Sequence, residues 1–127
     1  MNPFGHIDVR VKDLQEAVHF YSRWLPFLGF RFPFHNSTCQ VFAAGLELPW
    51  APYFTFSEDP EHRPNANRTA FWAESCAEVD RLATAIIESG AQNVDGPATR
   101  PEISESYYAI YFEDPWGNRF EIYHRID

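Results

Sequence analysis

Two stretches of the chain repeat one alternation of apolar and polar positions, each running into a helical stripe. In the first, residues 4–11 place Ile7, Val9 and Val11 on one face and His6, Asp8 and Arg10 on the other. That is the period of a half-buried strand. Asp13 then predicts a helix cap, with Glu16 three residues on completing a capping box. Leu14, Ala17, Val18, Tyr21, Trp24, Leu25 and Leu28 follow at helical spacing, Pro26 breaks or kinks the end, and Gly29 closes it. Strand-like stretches near 30–34, 38–44 and 52–57 come next, separated by His35, Asn36 and Gly45.

The second stretch lines up on the first without a gap: position 6 falls on position 68, an offset of 62. Thr69, Phe71 and Ala73 share one strand face; Arg68, Ala70 and Trp72 share the other. Ser75 and Glu78 repeat the capping box, Val79, Leu82, Ala83, Ile86 and Ile87 give the stripe, and Gly90 ends the helix. A Pro/Gly-containing loop at 95–101 is expected, then strands near 106–112 and 119–124 joined by the turn Asp114-Pro-Trp-Gly-Asn118. The segment 58–67, including the acidic run Glu58-Asp-Pro-Glu61, reads as a solvated linker between repeat one (1–57) and repeat two (68–127) of a single domain. Each half reads as a βαβββ unit, giving an α+β fold in which each sheet has a helix on one face and leaves the other open. Two such open faces brought together make a cleft suited to a small ligand.

Composition narrows the partners. A net charge of −8 argues against nucleic acid and anionic membranes, which need basic patches. Aromatic content of 17% supplies candidates for lining an apolar cleft. Cys39 and Cys76 lack zinc-site spacing and are expected to be reduced and buried, as in a cytoplasmic protein. No basic-then-apolar signal stretch opens the sequence, and no apolar run approaches the ~20 residues of a membrane span. There is no Gly-x-Ser-x-Gly turn, no histidine beside either cysteine in sequence and no phosphate-cradling glycine loop. His19, His35, His62 and His124 have no ligand-like spacing.

The pieces Gly5-His-Ile-Asp-Val-Arg-Val-Lys-Asp-Leu14, Phe27-Leu-Gly-Phe30 and Phe112-Glu-Asp-Pro-Trp-Gly-Asn-Arg-Phe-Glu121, with Ala70-Phe71 and Glu78-Val-Asp80, span nearly the whole chain. In them the chain resembles the vicinal oxygen chelate superfamily of glyoxalase I, bleomycin- and fosfomycin-resistance proteins and extradiol dioxygenases. The stretch Phe20-Tyr-Ser-Arg-Trp-Leu-Pro-Phe-Leu-Gly-Phe30 looks like a glyoxalase-like subgroup whose functions are mostly unassigned. The resemblance implies the two-repeat fold with its cleft, and a homodimer. It also implies metal ligands from the first and last strand of each half. These fall on His6 and Glu121, while the position that usually holds a second histidine carries Arg68, and the last strand of the first half offers Thr55. Guanidinium stays protonated and has no lone pair to give a metal.

The leading expectation is therefore a glyoxalase-like protein that binds a small polar or anionic aromatic molecule in its cleft, with an incomplete family metal site. Arg68 is its charge clamp and Trp72 a stacking surface on the same strand face. Arg100 is a candidate lid residue. Tyr107 and Tyr108 point to opposite faces of their strand, and Tyr108 is assigned to the cleft. Parity groups Asp8 with His6 and Tyr123 with Glu121. The alternative is a metal-dependent lyase, isomerase or dioxygenase, in which His6 and Glu121 ligate Zn, Ni, Mn or Fe and Glu121 moves the proton.

Overall fold

A computed structural model describes residues 3–47 and 50–127. The chain forms two compact units, Met1–His62 and Arg63–Asp127. In the first, strand β1 (His6–Val11) is followed by helix α1 (Leu14–Tyr21), a 3₁₀ turn (Leu25–Leu28) and strands β2 (Phe32–His35), β3 (Cys39–Ala43) and β4 (Tyr53–Glu58). In the second, β5 (Arg68–Trp72) leads to α2 (Cys76–Glu88), β6 (Gln92–Thr99), β7 (Tyr108–Glu113) and β8 (Arg119–His124). The sheet orders are β1-β4-β3-β2 and β5-β8-β7-β6. In each, the first and last strands run parallel and the other neighbours antiparallel. A parallel pair needs a long crossover, which the helix and meander of each unit supply. This is the α+β architecture of two βαβββ repeats expected from the sequence.

The helices start where the polar caps demand. Asp13 Oδ1 accepts from the Glu16 amide at 2.9 Å and Ser75 Oγ from the Glu78 amide at 3.0 Å, each satisfying an orphan helix donor. Glu58, expected in a solvated linker, instead ends β4 and takes the Leu14 amide at 2.9 Å, tying β4 to the start of α1. α1 stops at Tyr21, short of the predicted helix, and Pro26 sits in the first turn of the 3₁₀ segment, where a missing amide donor costs nothing. Gly29 closes that segment at φ 101°, a conformation open to glycine. In the second unit, most of the expected loop at 95–101 is strand: β6 pairs with β7 through two register shifts. Those irregularities accommodate Gly96 and Pro97 in an edge strand, where proline is tolerated.

Each core lies between a helix and one sheet face. Phe20, Tyr21 and Trp24 pack with Phe42 and Phe56, and the Tyr21 and Phe56 rings stack at 3.9 Å. Leu82 and Ile86 of α2 are buried with Ile110, Phe112, Phe120 and Ile122. The cysteines depart from the expected burial: Cys39 is half-buried and Cys76 exposed, since Cys76 occupies the first turn of α2 outside its buried stripe. Among the described residues no helix is long and apolar enough to cross a membrane.

The turn between β7 and β8 rests on Asp114, fully buried. Its Oδ1 accepts from the Trp116 and Asn118 amides at 2.9 Å each, and Oδ2 from Asn118 Nδ2 at 2.7 Å. Asp114→Ala leaves those amides without their acceptor and should destabilise the protein by on the order of 3 kcal/mol, read from urea denaturation. A loss under ~1 kcal/mol would show that the turn does not depend on this carboxylate.

Candidate functional site

Registered partners on neighbouring strands point to the same side of a sheet. Ala70 of β5 pairs with Glu121 of β8, which pairs with Tyr111 of β7. Trp72 pairs with Tyr123, and Arg68 with Arg119. These residues therefore share one face. The helix takes the other, since Phe71, Ile110, Phe112, Phe120 and Ile122 alternate with them and are buried.

Glu121 is 7% exposed and accepts the phenolic hydrogen bond of Tyr107 at Oε2. Tyr107 lies immediately before β7 and stacks on Tyr123, centroids 4.8 Å apart and planes within 3°. Burial first, then the bond to Glu121, hold the Tyr107 phenol well above its ordinary range. Tyr111 is the cation platform of the face. The guanidinium carbons of Arg68 and Arg100 lie 4.7 and 4.9 Å from its ring centroid. Burial and the Glu121 charge push the Tyr111 phenol up, while the two arginines pull it back. Arg100 is fixed by Asp95 at 2.9 Å, and its backbone amide donates to the Tyr107 carbonyl at 2.7 Å. Among the described residues, neither Arg68 nor Arg119 has a carboxylate within 4.0 Å.

Of the residues expected in a site, Arg68, Trp72 and Glu121 share this face, and Arg100 reaches it through Tyr111. Tyr108 does not: its hydroxyl donates to Asp80 Oδ1 of α2 at 2.6 Å, on the helix side. The apolar parity of Ile110 and Phe112 marks that side, and Tyr108 shares it. Tyr107 and Tyr111 hold the open face instead. His6 belongs to the first unit, stacked on Tyr53 with centroids 4.6 Å apart.

Of the four positions the family resemblance implies for a metal, His6 and Glu121 can donate, whereas Arg68 offers no lone pair, Thr55 is a neutral hydroxyl, and Glu121 Oε2 already accepts from Tyr107. Among the described residues no three His, Cys, Asp or Glu side chains gather as a metal would require.

A profile of the Glyoxalase/Bleomycin resistance protein/Dioxygenase superfamily matches residues 4–122. A Salmonella typhimurium protein described as a virulence protein is 25% identical over 122 residues, covering 92% of this chain and 80% of its own. A glyoxalase/bleomycin resistance protein from Albidiferax ferrireducens superposes with a TM-score of 0.80 at 25% identity, over 98% of this chain and 100% of its own. The genomically encoded fosfomycin resistance protein of Listeria monocytogenes gives 0.72 at 21% identity, over 99% and 95%, and shares the fold.

The Tyr108–Asp80 bond carries an alkaline signature. That bond, then burial, push the Tyr108 phenol from 10.0 up to about 12. The folded chain keeps a proton that the unfolded chain releases, so this contribution is complete below pH about 10 and is lost as pH rises toward about 12. Tyr108→Phe should therefore flatten the fall of the urea midpoint with rising pH in that window. Equal slopes in the two proteins would refute this coupling.

Proposed function

The chain belongs to the Glyoxalase/Bleomycin resistance protein/Dioxygenase superfamily, and from that premise we propose that it binds a small aromatic anion, a carboxylate or phosphonate, on the open face of its second sheet. The observation that carries this reading is the Arg68–Arg119 pair. Two like charges directly opposite each other on neighbouring strands destabilise a sheet. Among the described residues neither forms an ion pair within 4.0 Å, and Arg119 has Glu113 as its registered neighbour on β7. An anion shared between them relieves that repulsion and gains charge-assisted hydrogen bonds from planar guanidinium donors.

The remaining groups suit a ring attached to that anion. Tyr111 already holds the Arg68 guanidinium at stacking distance, which limits the side-chain freedom lost on binding. Trp72, 53% exposed, and Tyr123 are registered neighbours and offer apolar surface further along the face. Glu121 is a diagonal neighbour of Arg68, about 7 Å away at the Cβ level. Held by Tyr107, it accepts a hydrogen bond from a hydroxyl or ammonium group of the same molecule. That arrangement favours hydroxylated or zwitterionic anions over simple ones.

Titration calorimetry with phenylphosphonate and benzoate tests the reading. Arg68→Gln should weaken binding of both by about tenfold or more, as expected for losing a charged hydrogen bond. Arg119→Gln should weaken the same ligands. Affinity unchanged by Arg68→Gln, or no measurable binding of either anion, contradicts the proposal.

A further inference from the structure

The connection from β6 to β7 carries two of the side chains that build the anion face, one at each end. Arg100 enters it directly after β6, and Tyr107 leaves it directly before β7. The Arg100 amide closes the neck of this loop on the Tyr107 carbonyl at 2.7 Å. Inside it, the Ile103 amide donates to the Arg100 carbonyl at 3.0 Å and the Tyr107 amide to the Ser104 carbonyl at 3.2 Å. Apolar burial does little to hold the loop, since Pro101, Glu102, Ile103 and Glu105 are exposed. Its β6 side belongs to an edge strand with two register shifts. Sparse burial beside an irregular edge marks a segment that opens locally unless something else ties it down.

That tie comes from the residues after β8. Asp127 Oδ1 accepts from Ser104 Oγ at 3.0 Å and from Ser106 Oγ at 2.6 Å, and Oδ2 accepts from the Ser106 amide at 3.4 Å. The Ser106 hydroxyl accepts in turn from the Ile126 amide at 3.0 Å. The tail brings no apolar anchor of its own, because Ile126 is 84% exposed. The Ser106 hydroxyl bond is the largest of the effects that hold the Asp127 carboxyl below its usual range, so the group is ionised at neutral pH. Hydrogen bonds to an ionised acceptor are stronger than neutral ones. Ser106 immediately precedes Tyr107, whose phenol donates to Glu121 and whose ring stacks on Tyr123. The carboxylate therefore fixes the backbone on the approach to Tyr107, and the neck of the loop passes that constraint to Arg100.

We propose that Asp127 is a positioning residue for the anion face: it latches loop 100–107 so that Tyr107 stays on Glu121 and Arg100 stays over Tyr111. Its effect on affinity rests on the anion-binding reading above; the latch itself does not.

Asp127→Ala removes every acceptor of the latch. Asp127→Asn keeps one carbonyl oxygen for the serine hydroxyls and loses the charge. Hydrogen–deuterium exchange read by mass spectrometry should show peptides spanning 100–107 exchanging about tenfold faster in Asp127→Ala, with Asp127→Asn between it and the native chain. Peptides of the first unit should not change. Alkaline titration followed by tyrosine absorbance reads Tyr107 directly. Burial, then the bond to Glu121, hold that phenol well above its ordinary range in the native chain. Asp127→Ala should release it, so that an additional phenol ionises near pH about 10. Adding Tyr107→Phe should remove that phenol from the titration. Calorimetry with phenylphosphonate should show binding weakened about fivefold in Asp127→Ala. The proposal is overturned if exchange in 100–107 or the tyrosine titration of Asp127→Ala matches the native chain. Unchanged affinity in a variant whose loop has loosened also overturns it. Absence of phenylphosphonate binding in the native chain would instead sink the anion-binding reading, and the exchange and titration results would still decide the latch.

Discussion

The parallel ladder between β5 and β8 organises the open face of the second unit. It sets Arg68 beside Arg119 and Ala70 beside Glu121. With a side-chain period of two, every other consequence follows. Two arginines stand in register at one end of the face and a buried carboxylate sits one step along. A slip of one residue would turn Arg68 and Glu121 toward α2, into a layer of Phe71, Phe120 and Ile122, where unpaired charge is prohibitively costly. The hydrophobic face therefore enforces the register, and the register places the chemistry.

Around that ladder the tyrosines act as supports. Tyr107 orients Glu121 and braces Tyr123, while Tyr111 gathers Arg68 and Arg100. Asp95 fixes Arg100 from β6, so the irregular edge strand contributes to the same cluster. A lone arginine on a strand would be an ordinary solvated charge. Arg68 differs because it stands opposite another arginine and lies over a ring whose own surroundings keep it protonated. The first unit, built on the same βαβββ plan, moved its carboxylate to β1 and kept a neutral threonine on β4. The two units share one topology and differ in the side chains that stand at corresponding registered positions.

Much of this was legible in the sequence. The alternation through Val11 and Phe71, the caps at Asp13 and Ser75, and the offset between His6 and Arg68 specify both βα steps and the anomaly at the metal position. Strand β6 was not legible because Gly96 and Pro97 imitate a loop, and only pairing with β7 through bulges makes the segment a strand. Glu58 was misread for a similar reason: an acidic run looks solvated until its neighbour in space is a helix start. The site was half legible. Parity puts Arg68 and Trp72 on one strand face, and Glu121 was singled out through the family resemblance. Assigning Tyr108 to the open face ignored Ile110 and Phe112, whose apolar parity marks the helix side. Arg119 and Tyr111 depend on which strands are neighbours, which no local pattern states.

The central claim is the proposal that Arg68, at the position where the family resemblance implies a metal ligand, makes this chain a binder of organic anions. Metal content measures this most directly. Protein purified without chelators should carry Zn, Ni, Mn and Fe only at levels well below one ion per chain, and His6→Ala should not change them. Near-stoichiometric metal in the native chain, lost in His6→Ala, would contradict the account.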